Sequence, residues 1–283
     1  MTSLLLLDKP PGLTSFSAVA RARRILGIKK AGHTGTLDPM ATGVLPILLG
    51  AATRFAEFLP SHDKAYVAGI QLGITTGTLD ITGTVLEENP VNVTRGEIEQ
   101  ALSQFRGRIA QVPPMYSAKS QGGQRLYELA RQGIEVEREA RAVEIYALEL
   151  LDDIHIYVEC SAGTYIRSLI DDLGRSLGCG ACMASLRRTK ANGFDLSRCV
   201  TLEQLEQGDK SGMIPLDEAL SAYPAVEVTP AQAVRFKNGG ALDLARLRDL
   251  AEGELHRVYG SEVFLGLGRV QGQELAIARL LVE

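Results

Sequence analysis

Gly32-His33-Thr34-Gly35-Thr36-Leu37-Asp38-Pro39-Met40-Ala41-Thr42-Gly43 carries one carboxylate, Asp38, in a run dense in glycine and threonine. A basic, helix-like stretch precedes it and the apolar run Val44-Leu45-Pro46-Ile47-Leu48-Leu49 follows. Glycine lets a backbone approach a ligand closely without steric penalty. Pro39 confines Asp38 to an extended backbone, which leaves its carboxylate few orientations. Taken alone, a surface turn with a capping aspartate is the simpler reading.

Outward from this loop, helix and strand signals alternate irregularly. Met1–Asp8 reads as a first strand, and Thr14-Ser15 caps a helix ending at Gly27. That helix turns Val19, Ala22 and Leu26 inward and Arg21 and Arg24 outward. Lys64 to Gly73 alternates, so Tyr66, Ala68, Ile70 and Leu72 share one side of a strand. Thr94-x-x-Glu97 is a capping box that opens a helix with Ile98, Ala101, Leu102 and Phe105. Ala142–Leu150 and Asp153–Cys160 read as a strand pair. Thr164 is expected to cap a helix containing Tyr165, Ile166, Arg167, Leu169, Ile170 and Leu173, closed by Gly178.

Between Val112 and Arg141 the pattern loosens (Pro113-Pro114, Gly122-Gly123) around a helical piece at Leu126–Gln132. A basic, irregular insertion of this length is more often functional than idle. Near Tyr223-Pro224 the character changes again. Thr229-Pro230-x-Gln232 starts a short helix, and Arg257–Tyr259, Val263–Gly268 and Leu275–Leu281 read as short strands. The pattern predicts an α+β fold: a mixed, largely antiparallel sheet flanked by helices over residues 1–222, with a β-rich module over 223–283.

Hydrophobic residues at 45% and charged residues at 23% are ordinary for a globular protein. No run of about 18 apolar residues predicts a membrane span. The first residues lack the basic segment and cleavage site of a signal peptide, so the expected compartment is the cytoplasm. Cys179-Gly-Ala-Cys182 is a C-x-x-C, but neither Cys160 nor Cys199 belongs to a second one and no H-x-x-x-H follows. Buried structural thiols are expected rather than a metal or redox site, Cys160 sharing the apolar side of a strand with Ile154, Ile156 and Val158. The net charge of −4 would argue against nucleic acid if it were uniform. Residues 1–60 carry seven Lys/Arg against three Asp/Glu, 104–141 seven against four, and 185–198 four against one. Such segments form a nucleic-acid footprint if they converge in space.

Three features point the same way: Asp38 in its loop, Tyr66 two residues after Lys64, and Gly163-Thr164-Tyr165-Ile166-Arg167 where a strand turns into a helix. Tyr66 alone would be core. Arg167 alone would be surface charge, although a cation at a helix start opposes the dipole and invites another explanation. Together with Leu6-Leu7-Asp8-Lys9-Pro10-Pro11-Gly12-Leu13-Thr14-Ser15, Lys64-Ala65-Tyr66, Pro114-Met115-Tyr116-Ser117-Ala118 and Leu186-Arg187-Arg188, the chain resembles the TruB family of tRNA pseudouridine synthases. The motifs occur in the family's order across nearly the whole chain. Two positions depart from it: Lys119 falls one place early, and Gly77 replaces an acidic residue before Thr78-x-Asp80.

The resemblance implies a pseudouridine synthase fold with a C-terminal PUA-like RNA-binding domain. It implies isomerisation of a uridine in the T-loop of tRNA, position 55, by a monomer without cofactor or metal. Asp38 would be the nucleophile, Tyr66 would pack on the uracil and Arg167 would pair with Asp38. His33, Tyr165 and Leu186 would contact the substrate nucleotide, and residues 112–141 would close as a flap over the RNA stem-loop. The residue types suit the task. A carboxylate of ordinary pKa about 3.9 is ionised at neutral pH and can bond covalently, and a neighbouring arginine would keep it so. A non-catalytic RNA-binding protein of this fold is the alternative, favoured by loss of Asp38 or Arg167; both are present. A phosphate-binding loop at Gly32–Gly43 needs G-x-x-x-x-G-K-[ST], and no lysine follows Gly35 or Gly43 at that spacing.

Overall fold

A computed structural model of the chain describes residues 2–117, 120–121, 123–134, 136–247 and 250–281. Met1, Ala118, Lys119 and Gly122, which entered the readings above, lie outside the described residues.

The chain opens with β1 (Ser3–Lys9), α1 (Ser15–Ile25), β2 (Ala31–His33), β3 (Thr42–Leu49) and β4 (Lys64–Leu72). The hairpin β5 (Ile74–Thr76) and β6 (Val85–Glu88), α2 (Arg95–Leu102) and β7 (Gly107–Gln111) come next. The insertion holds β8 (Ser120–Gln121), β9 (Gln124–Arg125) and α3 (Leu126–Arg131). Then follow β10 (Arg141–Leu150), β11 (His155–Cys160), α4 (Ile166–Ser176), β12 (Ala181–Ala191), β13 (Phe194–Asp195), α5 (Leu202–Glu206), β14 (Met213–Pro215) and α6 (Leu216–Ala219). The remainder is β15 (Ala225–Val228), α7 (Pro230–Lys237), β16 (Leu242–Asp243), β17 (Leu255–Gly260), β18 (Val263–Gln271) and β19 (Glu274–Leu280).

Among the described residues, ten strands join in one sheet of order β14-β1-β3-β12-β4-β11-β10-β7, with β13 on β12 and β2 on β3. Its pairings are antiparallel except where β12 meets β3 at Arg187–Thr42 and Arg188–Gly43. Gly43 is obligatory at that junction: its φ is +106°, and a Cβ there would overlap the Arg188 main chain. A second sheet runs β15-β17-β18-β19-β16. The fold is α+β as expected, a mixed and largely antiparallel sheet followed by a β-rich module.

Period-two alternation explains how β1 buries four consecutive leucines. Leu4 and Leu6 join Leu48, Phe55 and Leu267 on one face, while Leu5 and Leu7 join Val19, Ala22 and Ile47 beneath α1 on the other. Each such side chain contributes roughly 1.5–3 kcal/mol of burial. Leu267 belongs to β18, so the first of these clusters also holds the two sheets together. A third cluster packs α2 and α4 on β4, β10 and β11, and it includes Leu37 and Ala41 from either side of Asp38. The loop is therefore rooted in the core. No helix among the described residues is long and apolar enough to cross a membrane.

Several local readings change. Thr164 is not the cap of α4: the cap position is Tyr165, without a side-chain cap bond, while the Thr164 hydroxyl donates to the Ser161 carbonyl at 3.0 Å. Ile154 is 55% exposed, because Asp152 accepts from the Ile154 and His155 N–H groups in a turn that precedes β11. Cys160, Cys179 and Cys182 are buried, but Cys199 is only partly so. Strands β2, β7, β12, β13 and β14 of the main sheet escaped the sequence reading, and β3 was read only as an apolar run.

Candidate active site

The Asp38 loop is held by buried donors aimed at its carbonyls. The Ser15 hydroxyl, in the first turn of α1, accepts from Leu37 N–H at 2.7 Å and donates to Leu37 C=O at 3.1 Å. Lys9, at the end of β1, donates to the carbonyls of Pro10, Pro39 and Ala41 at 2.9, 3.3 and 2.6 Å. Arg188 donates through Nε to Val44, through Nη1 to Thr36 and through Nη2 to Gly35, at 2.7, 3.3 and 3.1 Å. Lys9 and Arg188 are both 0% exposed. Cations at that depth persist because each of their nitrogens finds an acceptor. Two of the cations counted in the basic segments are thus internal struts, not surface charge.

Asp38 itself faces Arg167, which α4 delivers from its first turn. Arg167 Nε lies 2.9 Å from Asp38 Oδ2 and Nη2 lies 3.0 Å from Oδ1, a bidentate pair. The remaining donors reach the carbonyls of Thr78 at 3.0 Å and Tyr116 at 2.8 Å, with Asp80 Oδ2 3.9 Å from Nη1. Asp80 is buried and is held by the Thr78 hydroxyl and the Thr82 N–H at 2.9 and 3.0 Å. The planar fork thus hydrogen-bonds one carboxylate and two carbonyls, with a second carboxylate close by at ion-pair distance.

Burial pushes the Asp38 carboxyl above its ordinary value; the Arg167 guanidinium pulls it down, and the second carboxylate, Asp80, pushes it up again. The expectation of a carboxylate with its ordinary pKa, kept ionised by arginine, is therefore corrected: burial outweighs the arginine and the value is raised. Burial raises the Tyr66 phenol to about 12, against the pull of Arg188, which hydrogen-bonds it. At neutral pH Tyr66 is a neutral phenol.

Asp38 opens into a cavity of about 540 Å³ whose walls include Tyr66, Tyr116, Tyr165, Arg167 and Leu186. That volume suits a small ligand or a single nucleotide. Five of the six sequence-derived site residues, Asp38, Tyr66, Tyr165, Arg167 and Leu186, line this one space. His33 does not: it lies in β2, paired with Ile47, its Nδ1 buried without a partner. Burial, then Arg188, holds its pKa below the ordinary histidine value. Lys9, Asp80, Arg188 and, through the main chain of Tyr165, Gln111 were missed as residues that support the site. Three of them stood inside quoted motifs, and a lysine or arginine beside a proline or glycine-rich loop was the available signal.

Residues 23–166 match the TruB family pseudouridylate synthase (N terminal domain). Residues 167–221 match the tRNA pseudouridylate synthase B C-terminal domain, and 224–281 the Pseudouridine synthase II TruB, C-terminal. The tRNA pseudouridine synthase B of Azoarcus sp. (strain BH72) is 48% identical over 98% of this chain and 94% of that protein. The protein of the same name from Burkholderia lata is 46% identical over 100% of this chain and 91% of its own. Among solved structures, an H/ACA RNP bound to a substrate RNA containing 2'-deoxyuridine superposes with a TM-score of 0.72 at 26% identity, covering 99% of this chain and 85% of that one. A Cbf5-Nop10-Gar1 complex gives 0.72 at 28%, covering 99% and 84%. This chain belongs to the TruB family of pseudouridine synthases.

Proposed function

We propose that this enzyme, an isomerase of the tRNA pseudouridine synthase class, converts the uridine at position 55 in the T-loop of tRNA to pseudouridine in the cytoplasm, with Asp38 as nucleophile. The observation that carries this reading is the Asp38 carboxylate gripped by Arg167 at 2.9 and 3.0 Å inside a nucleotide-sized cavity. Family membership supports uridine isomerisation in tRNA; the T-loop position and the role of Asp38 are this reading's own additions.

The uridine must leave its stack to enter the cavity, at a cost of a few kcal/mol. Phosphate contacts from exposed cations offset that cost and make binding salt-sensitive. Tyr66 and Tyr165 offer flat faces to the everted base and Leu186 an apolar one. Asp38 bonds to C6 of the uracil or to C1′ of the ribose. The N1–C1′ bond breaks, the base turns, and C5 bonds to C1′. N1 gains a proton, C5 loses one, and Asp38 leaves unchanged. No electron is transferred, so no redox cofactor is called for. The residues of 223–283 extend the RNA surface as a PUA-like domain, and 112–141 acts as the flap.

Incubating the purified chain with unmodified tRNA transcript, without cofactor, and mapping pseudouridine tests the reading. One new pseudouridine in the T-loop is expected. Its absence, or equal product from Asp38→Asn, would overturn it.

A further inference from the structure

The helix that delivers Arg167 lacks a cap of its own. Tyr165 occupies the cap position and its side chain caps nothing. In a capping box, a glutamate or glutamine three residues into the helix reaches back to the cap residue's N–H. Ser168 stands there instead, and its hydroxyl donates to the Val112 carbonyl at 3.0 Å.

The missing arm comes from 54 residues away. Gln111 Oε1 accepts from Tyr165 N–H at 2.7 Å, and Gln111 Nε2 donates to Tyr165 C=O at 3.0 Å. Gln111 is the last residue of β7 and is 2% exposed. A primary amide can satisfy a peptide N–H and C=O together through two separate atoms, one acceptor and one donor. β7 is itself tied to β10, with Gln111 opposite Arg141. The clamp therefore joins the edge of the main sheet to the first turn of α4. The next residues continue the seam: Val112 takes Ser168, and the Tyr116 carbonyl takes Arg167 Nη2 at 2.8 Å.

We propose that Gln111 is a positioning residue for catalysis: its carboxamide fixes the first turn of α4 so that Arg167 meets Asp38 in bidentate geometry and Tyr165 keeps its place in the cavity wall. This inference rests on the reading of Asp38 as the nucleophile. Gln111 touches neither the dyad nor the cavity; it acts through the main chain of Tyr165. Because it stands at the foot of the 112–141 insertion, the register of that insertion and the aim of Arg167 are set by the same contact.

The test compares wild type, Gln111→Met, Gln111→Glu and Val258→Ala in single-turnover assays on unmodified tRNA, with tRNA affinity, melting temperature and the pH dependence of the rate measured for each. Val258 is fully buried in the core of the second sheet, in a different cluster from the Asp38 loop and not on the module's surface, and serves as a control for lost stability. Gln111→Met keeps the shape and removes both bonds. Its saturating rate is expected to fall on the order of 10²-fold, the effect of a misplaced catalytic group, with tRNA affinity within about twofold. The acid limb of its pH profile moves to higher pH, because a misaimed Arg167 no longer favours the Asp38 carboxylate. Gln111→Glu keeps only the acceptor half and falls between the two; it also carries the test if Gln111→Met does not fold. Val258→Ala lowers the melting temperature but leaves the acid limb in place.

An unchanged rate and limb in both Gln111 variants would overturn the proposal, as would a loss confined to tRNA affinity or one that Val258→Ala reproduces. If wild type makes no pseudouridine, or Asp38→Asn makes as much, the nucleophile reading fails instead; an active wild type with indifferent Gln111 variants sinks only the clamp.

Discussion

The Lys9 ammonium donates to the Ala41 carbonyl at 2.6 Å from a site with no exposure to solvent. It reaches across from β1 to hold both sides of the Asp38 turn, since Pro39 C=O is a second acceptor. Burial, opposed by the charge of Asp38, lowers the Lys9 pKa to about 8. A base with a folded pKa below its unfolded value of about 10.5 binds fewer protons folded than unfolded between those two values. Stability from this group therefore rises with pH from about 8 to about 10.5. The unfolding free energy of wild type relative to Lys9→Met is expected to improve by on the order of 3 kcal/mol over that window. Urea titrations at pH 7.5 and 10.5 measure it, and a flat difference would refute the assignment.

Asp38→Asn is expected to fold, to bind tRNA and to yield no pseudouridine. The amide keeps one acceptor for Arg167 but has no negative oxygen to form the covalent bond. Binding by filter retention and product mapping on the same sample separate the two outcomes. Turnover near wild type excludes Asp38 as the nucleophile.

Asp80 raises the Asp38 pKa by like charge. Asp80→Asn retains an acceptor for Thr78 and Thr82 but removes that charge. The acid limb of the single-turnover profile is expected to shift to lower pH, since Asp38 then ionises more readily. The position of the limb is the readout, not the plateau. A limb that moves upward would mean Asp80 acts on Asp38 some other way.

Tyr66→Leu is expected to keep most of its tRNA affinity and lose most of its rate, and Tyr66→Phe, which preserves the ring, to lose less. With its phenol at about 12, Tyr66 keeps its proton at neutral pH, so the alkaline side of the profile should show no ionisation of this group below about pH 11. A large affinity loss at constant rate in Tyr66→Leu would contradict the stacking role.

Arg188→Met is expected to destabilise the fold by about 3–5 kcal/mol, the usual effect of breaking a buried, hydrogen-bonded charge network. It strands the carbonyls of Gly35, Thr36 and Val44. Thermal or denaturant unfolding checks this, and a loss below about 1 kcal/mol would show that the strut is dispensable.

Much of the fold was legible because local rules act over a few residues. The alternation of Lys64–Leu72, the capping boxes at Thr94 and Thr229 and the glycine ends of α1 and α4 all appear where periodicity and cap chemistry put them. β12 was not legible. Its apolar start gives way to Arg187, Arg188 and Lys190, and a pattern reading sends such residues to water. Arg188 instead points inward, because three carbonyls of a distant loop await it. Similarly, Thr164 has the side chain of a cap, whereas Tyr165 holds the cap position and Gln111 meets its N–H.

The order of residues already shows which chemical groups stand ready: a carboxylate in a glycine-rich turn, a tyrosine on an alternating strand, an arginine at a helix start. Their partnerships arise with the packing of distant segments. It set Asp38 against Arg167 across 129 residues, shared that arginine with Asp80, drew Lys9 and Arg188 inside, and left His33 out of the cavity wall. The physical reason is that periodicity reports which face of an element is dry. A buried ion's partners are mostly main-chain carbonyls, which every residue carries and no sequence pattern marks.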